Sequence, residues 1–423
     1  MGGSGHGAYC QPFSVRATRR QRTIRSMPAS LASLQTPDTP ALAPPMLWDI
    51  FCRVIDNFGD VGVCWRLAAD LAARGHTVRV WLDDAQALAW MAPGALEGRW
   101  PGVTVHPWNA ASDPGVLSTL KPARVWIEGF GCELPEAFVA WRASAQAAPP
   151  VWINLEYLSA ESFVERCHGL PSPLMSGPAK GWIKYFFYPG FTPRTGGLLR
   201  EPDLSAQRIT FGSEGRQAFL RGLGIADHGE ALVTLFCYAH APVAELFAQL
   251  QGARHGVHLL VTHGQAASAV KTALERAPKA AEGLRITHLP LLSQTLFDQL
   301  LWVSDLNFVR GEDSLVRALW SGRPFVWQIY PQQDAAHLTK LEAFLSETNA
   351  PGPTRDWHLQ WNSVGAVRAN APLPLGNSTQ DSAVWQAWAA ALAPRLAQQA
   401  DLVTQLCAFV QGVASEGQAP KTR

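Results

Sequence analysis

No apolar run in this sequence reaches the ~18 residues that a membrane-spanning helix needs. Charge is also sparse. Only 16% of the 423 residues are charged, and 35 Lys and Arg against 34 Asp and Glu leave a net +1. A near-neutral balance gives no general attraction to nucleic acid or to an anionic membrane, and neither is expected as a partner. The seven cysteines (Cys10, Cys52, Cys64, Cys132, Cys167, Cys237 and Cys407) are scattered, odd in number and never spaced C-x-x-C. That argues against a zinc site and a disulfide framework and suits a reduced, cytoplasmic setting. No metal is expected. G-x-x-x-x-G-K-[ST], H-E-x-x-H and G-x-S-x-G are all missing, which removes the P-loop, zinc-protease and common hydrolase readings. The nearest thing to a dinucleotide fingerprint, Gly129-Phe130-Gly131, continues Cys132-Glu133-Leu134 and lacks its third glycine. NAD binding has little support.

What is present points to a large α/β protein. Hydrophobic residues make up 47%, enough for sizeable cores, and the length suits two or three domains. Most of the 17 tryptophans should be packing residues. Residues 1–46 stand apart. They carry Arg16, Arg19, Arg20, Arg22 and Arg25, a single acid (Asp38), and much Pro, Ser and Thr. Such a segment cannot bury enough apolar surface to fold and is expected to be a disordered extension. It reads either as an organelle leader or as an over-extended start, with Met46 as the working first residue; the second reading is preferred.

From Leu47 onward, strand-like and helix-like runs alternate. Strands are predicted at Leu47–Val54, Thr77–Leu82, Ala123–Phe130 and Val151–Leu158. A helix from Val63 to Arg74, stopped by Gly75, makes the first two a βαβ unit, so the sheet should be parallel. A second series holds strands at Ala231–Tyr238, Val257–Thr262, Arg285–Leu289, Asp305–Arg310 and Pro324–Ile329, with helices at Gln294–Val303 and Ser314–Trp320. The Gly-, Pro- and Arg-rich stretch 170–226 reads as linker and irregular structure. Beyond residue 350 comes a polar, Pro-containing stretch, then one long helix over about 382–414. Residues 47–226 are thus expected to form a first Rossmann-like domain with its linker, 227–380 a second, and 381–417 a helix returning to the first. Two parallel α/β domains facing across a cleft are the GT-B architecture, with ligands held between the carboxyl ends of the sheets.

Two segments can carry chemistry. Asp56-Asn57-Phe58-Gly59-Asp60-Val61-Gly62 sets two carboxylates four residues apart at the exit of the first strand. They can face the cleft, or Asn and Gly can make a turn that Asp60 caps. Val309-Arg310-Gly311-Glu312-Asp313-Ser314 joins a buried strand to a helix. The N–H groups of such a helix start suit a pyrophosphate; its acids either meet sugar hydroxyls or favour the helix dipole. Tyr330-Pro331-Gln332-Gln333-Asp334 belongs to the same rim.

At these residues the sequence resembles the elongation factor P arginine rhamnosyltransferases. The resemblance is carried by Trp48-Asp49-Ile50-Phe51-Cys52 running through Asp56–Asp60 to Trp65-Arg66-Leu67-Ala68, by Asn154-Leu155-Glu156-Tyr157-Leu158-Ser159-Ala160-Glu161, by Gly196-Gly197-Leu198, by Arg310–Ser314 and by Phe325–Gln332. It covers nearly everything from Leu47 onward. It implies a bacterial, inverting GT-B enzyme that moves rhamnose from TDP-β-L-rhamnose to one arginine of elongation factor P, helping ribosomes stalled on proline runs. By the same resemblance Asp60 would be the general base, with Asp56 beside the acceptor guanidinium and Glu312 at the sugar–phosphate. Asn57, Phe58, Gly59, Arg310, Gly311, Asp313, Ser314, Gln294 and Tyr238 would line the substrate and donor site. The chain departs from the family's pattern at Leu291-Leu292-Ser293, where Phe and Pro are common. The alternatives are a nucleotide-sugar 2-epimerase, another GT-B transferase with a different acceptor, and a nucleotide-sugar-binding regulator.

Overall fold

In the computed structural model, the residues described are 44–54, 58–145, 147–252, 256–332, 336–363, 373–375 and 380–416. The expectation for residues 1–46 falls almost wholly outside them. The first sheet contains β1 (Leu47–Cys52), β2 (Thr77–Leu82), β3 (Val103–Pro107), β4 (Val125–Gly129), β5 (Val151–Leu155), β6 (Pro171–Pro173) and β7 (Ile183–Phe187). Their order is β3-β2-β1-β4-β5-β7-β6, parallel except for β6, which runs antiparallel to β7. Its helices are α1 (Gly59–Ala73), α2 (Leu88–Met91), α3 (Pro114–Leu117), α4 (Glu136–Ser144) and α5 (Val164–Cys167).

A long helix, α6 (Leu204–Gly222), leads to the second sheet, β8 (Ala231–Leu235), β9 (Val257–Val261), β10 (Arg285–His288), β11 (Leu306–Arg310) and β12 (Phe325–Gln328). This sheet is wholly parallel, in the order β10-β9-β8-β11-β12. Around it lie α7 (Val243–Gln251), α8 (Gln265–Arg276), α9 (Gln294–Val303), α10 (Gly311–Ser321), α11 (Ala336–Glu347) and α12 (Gly352–Asn362). The chain closes with α13 (Gln380–Leu396) and α14 (Leu402–Glu416).

Central strands such as β1 and β4 are buried along nearly their whole length, as covered parallel strands are. Helix α1 is unusual in being buried almost all round, charged Arg66 and Asp70 included. One side packs on β1 and β2, another meets the second half through α10, and a third is covered by α14. A helix enclosed on all sides must pair its charges inside, and this shapes the site.

Three expectations need correction. Residues 170–226 are not merely linker, since they contain β6, β7 and α6. Beyond residue 350 there is a helix, α12, with Thr354, Trp357, His358 and Trp361 buried along one face. The single terminal helix is two. Pro394 lies near the end of α13, and Asp401 starts α14 by accepting the Thr404 N–H at 2.9 Å. The break changes sheets: Trp385, Trp388 and Leu392 of α13 join the core of the second sheet, whereas Leu402, Leu406 and Val410 of α14 join that of the first. The expected return to the first half therefore belongs to α14.

Candidate active site

The acceptor-side segment leaves β1 and enters α1. Asp56 and Asn57 lie outside the described residues. Phe58, not Asp60, occupies the N-cap position, and its side chain makes no capping bond. Phe58 is half-exposed and meets Trp90 edge-on at 6.4 Å. Gly59 is the first helical residue and has open space where a side chain would stand. Asp60, in the first turn, is not the cap; its Oδ2 accepts the Tyr157 hydroxyl at 3.3 Å. Burial and the Asp60 carboxylate raise the Tyr157 phenol above its ordinary value, so the phenol keeps its proton and donates.

The donor-side segment leaves β11 and enters α10. Arg310 holds the N-cap position in extended backbone. Gly311 follows at φ +70°, a conformation that a side-chain-bearing residue adopts only with strain, and its carbonyl accepts from Trp327 Nε1 at 2.8 Å. The turn frees the first N–H groups of α10 and adds their dipole, the arrangement that binds phosphates. Arg310 lies over the rings of Phe236 and Tyr238, at 4.7 and 4.6 Å from their centroids. Its Nη1 is buried without a hydrogen-bond partner among the described residues, and burial lowers the guanidinium pKa. A guanidinium nitrogen in that state at a helix N-terminus is poised for an anion. Tyr238 donates its backbone N–H to Gln328 Oε1 at 2.8 Å and meets Tyr330 edge-on at 5.7 Å. Ser314 is buried and its hydroxyl donates to the Arg310 carbonyl, which ties the turn to the helix.

The two acids after Gly311 part company. Glu312 is half-buried; its Oε2 accepts the Leu158 N–H at 2.7 Å and its Oε1 pairs with Lys340 at 2.8 Å. Asp313 turns the other way, into the first half, where Arg66 Nε reaches it at 3.0 Å. Burial raises the Asp313 pKa, against the pull of Arg66 and Arg317. Gln294 likewise reaches across, its Nε2 donating to the Gly62 carbonyl at 2.9 Å. A Cβ on Gly62 would stand 3.3 Å from Gln294 Nε2 and 3.4 Å from Asp313 Oδ2, so the close approach of α1 to α9 and α10 depends on a glycine there. In the departing segment, Leu291 is half-exposed, Leu292 is buried, and Ser293 caps α9 by accepting the Leu296 N–H.

Behind these residues lies a network the sequence did not reveal. Arg66 of α1 and Arg317 of α10 both pair with Asp298 of α9, at 3.1 and 2.7 Å. Glu201 joins them, at 3.5 Å from Arg66 and 2.6 Å from Arg317. Burial alone would raise Glu201, but Arg317 and Arg66 overcome it and hold the carboxyl at about 2. Lys340 and Tyr157 also escaped prediction as site residues; Tyr157 and Arg66 lay inside motifs already noted, and Lys340 had no local signal. Among the described residues no three His, Cys, Asp or Glu side chains assemble in a way that could hold a metal ion. None of the described helices is long and apolar enough to cross a membrane.

Two parallel sheets whose carboxyl ends face each other, one presenting an anion-ready helix start and the other a carboxylate, make this a glycosyltransferase of the GT-B class. The model of the family described as "Elongation-Factor P (EF-P) rhamnosyltransferase EarP" matches residues 48–411. The chain belongs to that family and is a protein-arginine rhamnosyltransferase. The protein-arginine rhamnosyltransferase of Pseudomonas putida is 43% identical over 387 residues, spanning 86% of this chain and 98% of the relative. That of Neisseria meningitidis is 36% identical over 311 residues, spanning 71% and 78%. A solved structure described as the structural basis for EarP-mediated arginine glycosylation of translation elongation factor EF-P superposes with a TM-score of 0.57 at 30% identity, covering 87% of this chain and 99% of that one. Family membership sets the epimerase and regulator alternatives aside.

Proposed function

We propose that this enzyme transfers L-rhamnose from TDP-β-L-rhamnose, with inversion, to a single arginine of elongation factor P in the cytoplasm, and so supports translation of proline runs. Residues 47–226 form the acceptor half and 227–380 the donor half, with α13 packed on the second sheet and α14 returning to the first. The observation that carries this reading is the meeting of Asp60 and Glu312, from opposite halves, at two consecutive residues, Tyr157 and Leu158.

The acceptor dictates what is needed. A guanidinium with a pKa above ~12 is a very poor nucleophile. One carboxylate, Asp56, grips it by paired hydrogen bonds and localises its electrons. Asp60 accepts a proton from the attacking nitrogen as that nitrogen bonds to the anomeric carbon. The carbon–oxygen bond to TDP breaks on the opposite face, its electron pair leaves with the diphosphate, and the configuration inverts. Asn57, Phe58 and Gly59 line the acceptor side. On the donor side, the start of α10, with Gly311 and Ser314, and the buried Arg310 Nη1 neutralise the departing charge. No metal or other cofactor is required for that step. Glu312 meets the sugar, Tyr238 lines the donor pocket, and Gln294 and Asp313 hold the halves at the working separation.

Intact-mass measurement of elongation factor P, after incubation with this protein and TDP-β-L-rhamnose, tests the proposal. One deoxyhexose added to one arginine is expected. Donor consumption that is independent of elongation factor P, or an unmodified acceptor, would overturn it.

A further inference from the structure

Gly129-Phe130-Gly131 has a use that owes nothing to dinucleotides. At the exit of β4 the backbone of Phe130 takes φ +57°, a left-handed conformation that is strained for a bulky aromatic residue. Hydrogen bonds from both sides hold it there. The Phe130 N–H donates to the Leu155 carbonyl at 2.8 Å, and the Gly131 N–H donates to Asn154 Oδ1 at 3.0 Å. The strained turn delivers the Phe130 ring flat against Tyr157, with centroids 4.5 Å apart and planes 21° from parallel. Tyr157 follows β5 by two residues, remains 38% exposed, and points its hydroxyl at Asp60. The next N–H along the chain, that of Leu158, is bonded to Glu312. Lys340, the ion-pair partner of Glu312, stands 5.8 Å from the Tyr157 ring centroid.

We infer that Tyr157, braced by Phe130, is a positioning residue for Asp60: it holds one carboxylate oxygen and so aims the base at the acceptor nitrogen. Tyr157 acts through Asp60 and does not touch the reacting atoms. The geometry favours this over simple packing. A ring recruited only to fill space has no need of a strained turn beneath it, and a packing residue would not be more than a third exposed. Asp60 sits in the first turn of α1. A phenol on a rigid shelf steadies its carboxylate from the neighbouring strand exit. Because Leu158 holds Glu312 in the same two-residue step, the shelf also ties the acceptor-side carboxylate to the donor-side one.

The inference rests on the proposed function, and its test separates the two. Rhamnosylation of elongation factor P is measured for the wild type, Asp60→Asn, Tyr157→Phe and the double variant, with kcat and donor KM resolved and a melt for each. Tyr157→Phe keeps the stacked ring and removes only the hydroxyl. It should lower kcat by about 10- to 100-fold, the scale of one hydrogen bond to a charged group, with donor KM and melting temperature unchanged. The double variant should be no slower than Asp60→Asn alone, because the hydroxyl works only through that carboxylate. Phe130→Leu, which removes the shelf but leaves the phenol, should cause a smaller fall that also vanishes in the Asp60→Asn background. A Tyr157→Phe enzyme with wild-type kcat, or losses that multiply in the double variant, would overturn the inference while leaving the function intact. A wild type that fails to modify elongation factor P would overturn the function itself.

Discussion

The two halves of this enzyme touch in two ways, and the contrast separates chemistry from architecture. At the rim of the cleft, the Leu158 N–H of the first half donates to half-buried Glu312 of the second, next to the Tyr157 hydroxyl that holds Asp60 within the first half. Deeper in, contact is an ionic seam in which Arg66 and Arg317 share Asp298 and Glu201, and Arg66 also pairs with Asp313. Asp60 at the rim meets a neutral phenol, whereas the seam carboxylates are neutralised by guanidinium groups. Carboxylates thus serve opposite ends within one helix turn: Glu312 faces the rim and Asp313 the seam, because adjacent helical residues point about 100° apart.

The largest effect that would break this comparison lies at the rim. Glu312→Ala should abolish rhamnosyl transfer. It should also cost about 1–3 kcal/mol of stability, because Lys340 and the Leu158 N–H lose their partner. Transfer assays beside thermal melts check both parts, and normal activity would remove Glu312 from the site. Next comes Asp60→Asn, expected to lose ~10²- to 10⁴-fold in single-turnover rate while calorimetry finds donor affinity nearly unchanged. A variant that melts lower yet transfers normally would return Asp60 to a structural role.

The seam should behave in reverse. Asp298→Ala leaves two buried arginines short of a partner and should cost about 3–5 kcal/mol in chemical unfolding. At a temperature where it stays folded, its turnover should fall far less than that of Asp60→Asn. The smallest effect is a pH dependence. Glu201 is held at about 2 in the fold against an ordinary 4.5. The unfolded chain therefore takes up that proton first, and the stability Glu201 contributes is present above pH 4.5 and lost as pH falls towards 2. Asp313, raised above its ordinary 3.8, works the other way. Melting curves of Glu201→Gln against the wild type isolate the Glu201 share: the acid limb should flatten in the variant, and an unchanged limb would place the charge compensation elsewhere.

Much of the fold was legible because the central strands announce themselves. Runs such as Trp48–Cys52 and Val257–Val261 are apolar but for one buried polar residue each, Asp49 and His258, as suits strands covered on both faces. What was missed lay at edges or behind proline. β7 is flanked by Gly181 and Pro189, and its outer neighbour β6 is the three-residue Pro171–Pro173, so neither carries the pattern of a buried strand. α12 opens with Pro351-Gly352-Pro353, which was read as a break although proline also suits a first helical turn. Its buried Thr354, Trp357, His358 and Trp361 keep the helical spacing that identifies it.

The sequence by itself determined the alternation of strands and helices, the two acidic turns at strand exits and the family, because periodicity, turn chemistry and motif spacing are local properties of the chain. Only the tertiary structure decided which acid does what. Asp313 meets Arg66, 247 residues away, and Asp60 meets Tyr157, 97 residues away. No local pattern encodes such partners, since a carboxylate's role depends on what folding brings against it, and on whether that neighbour is a guanidinium that saturates it or a phenol that only steadies it.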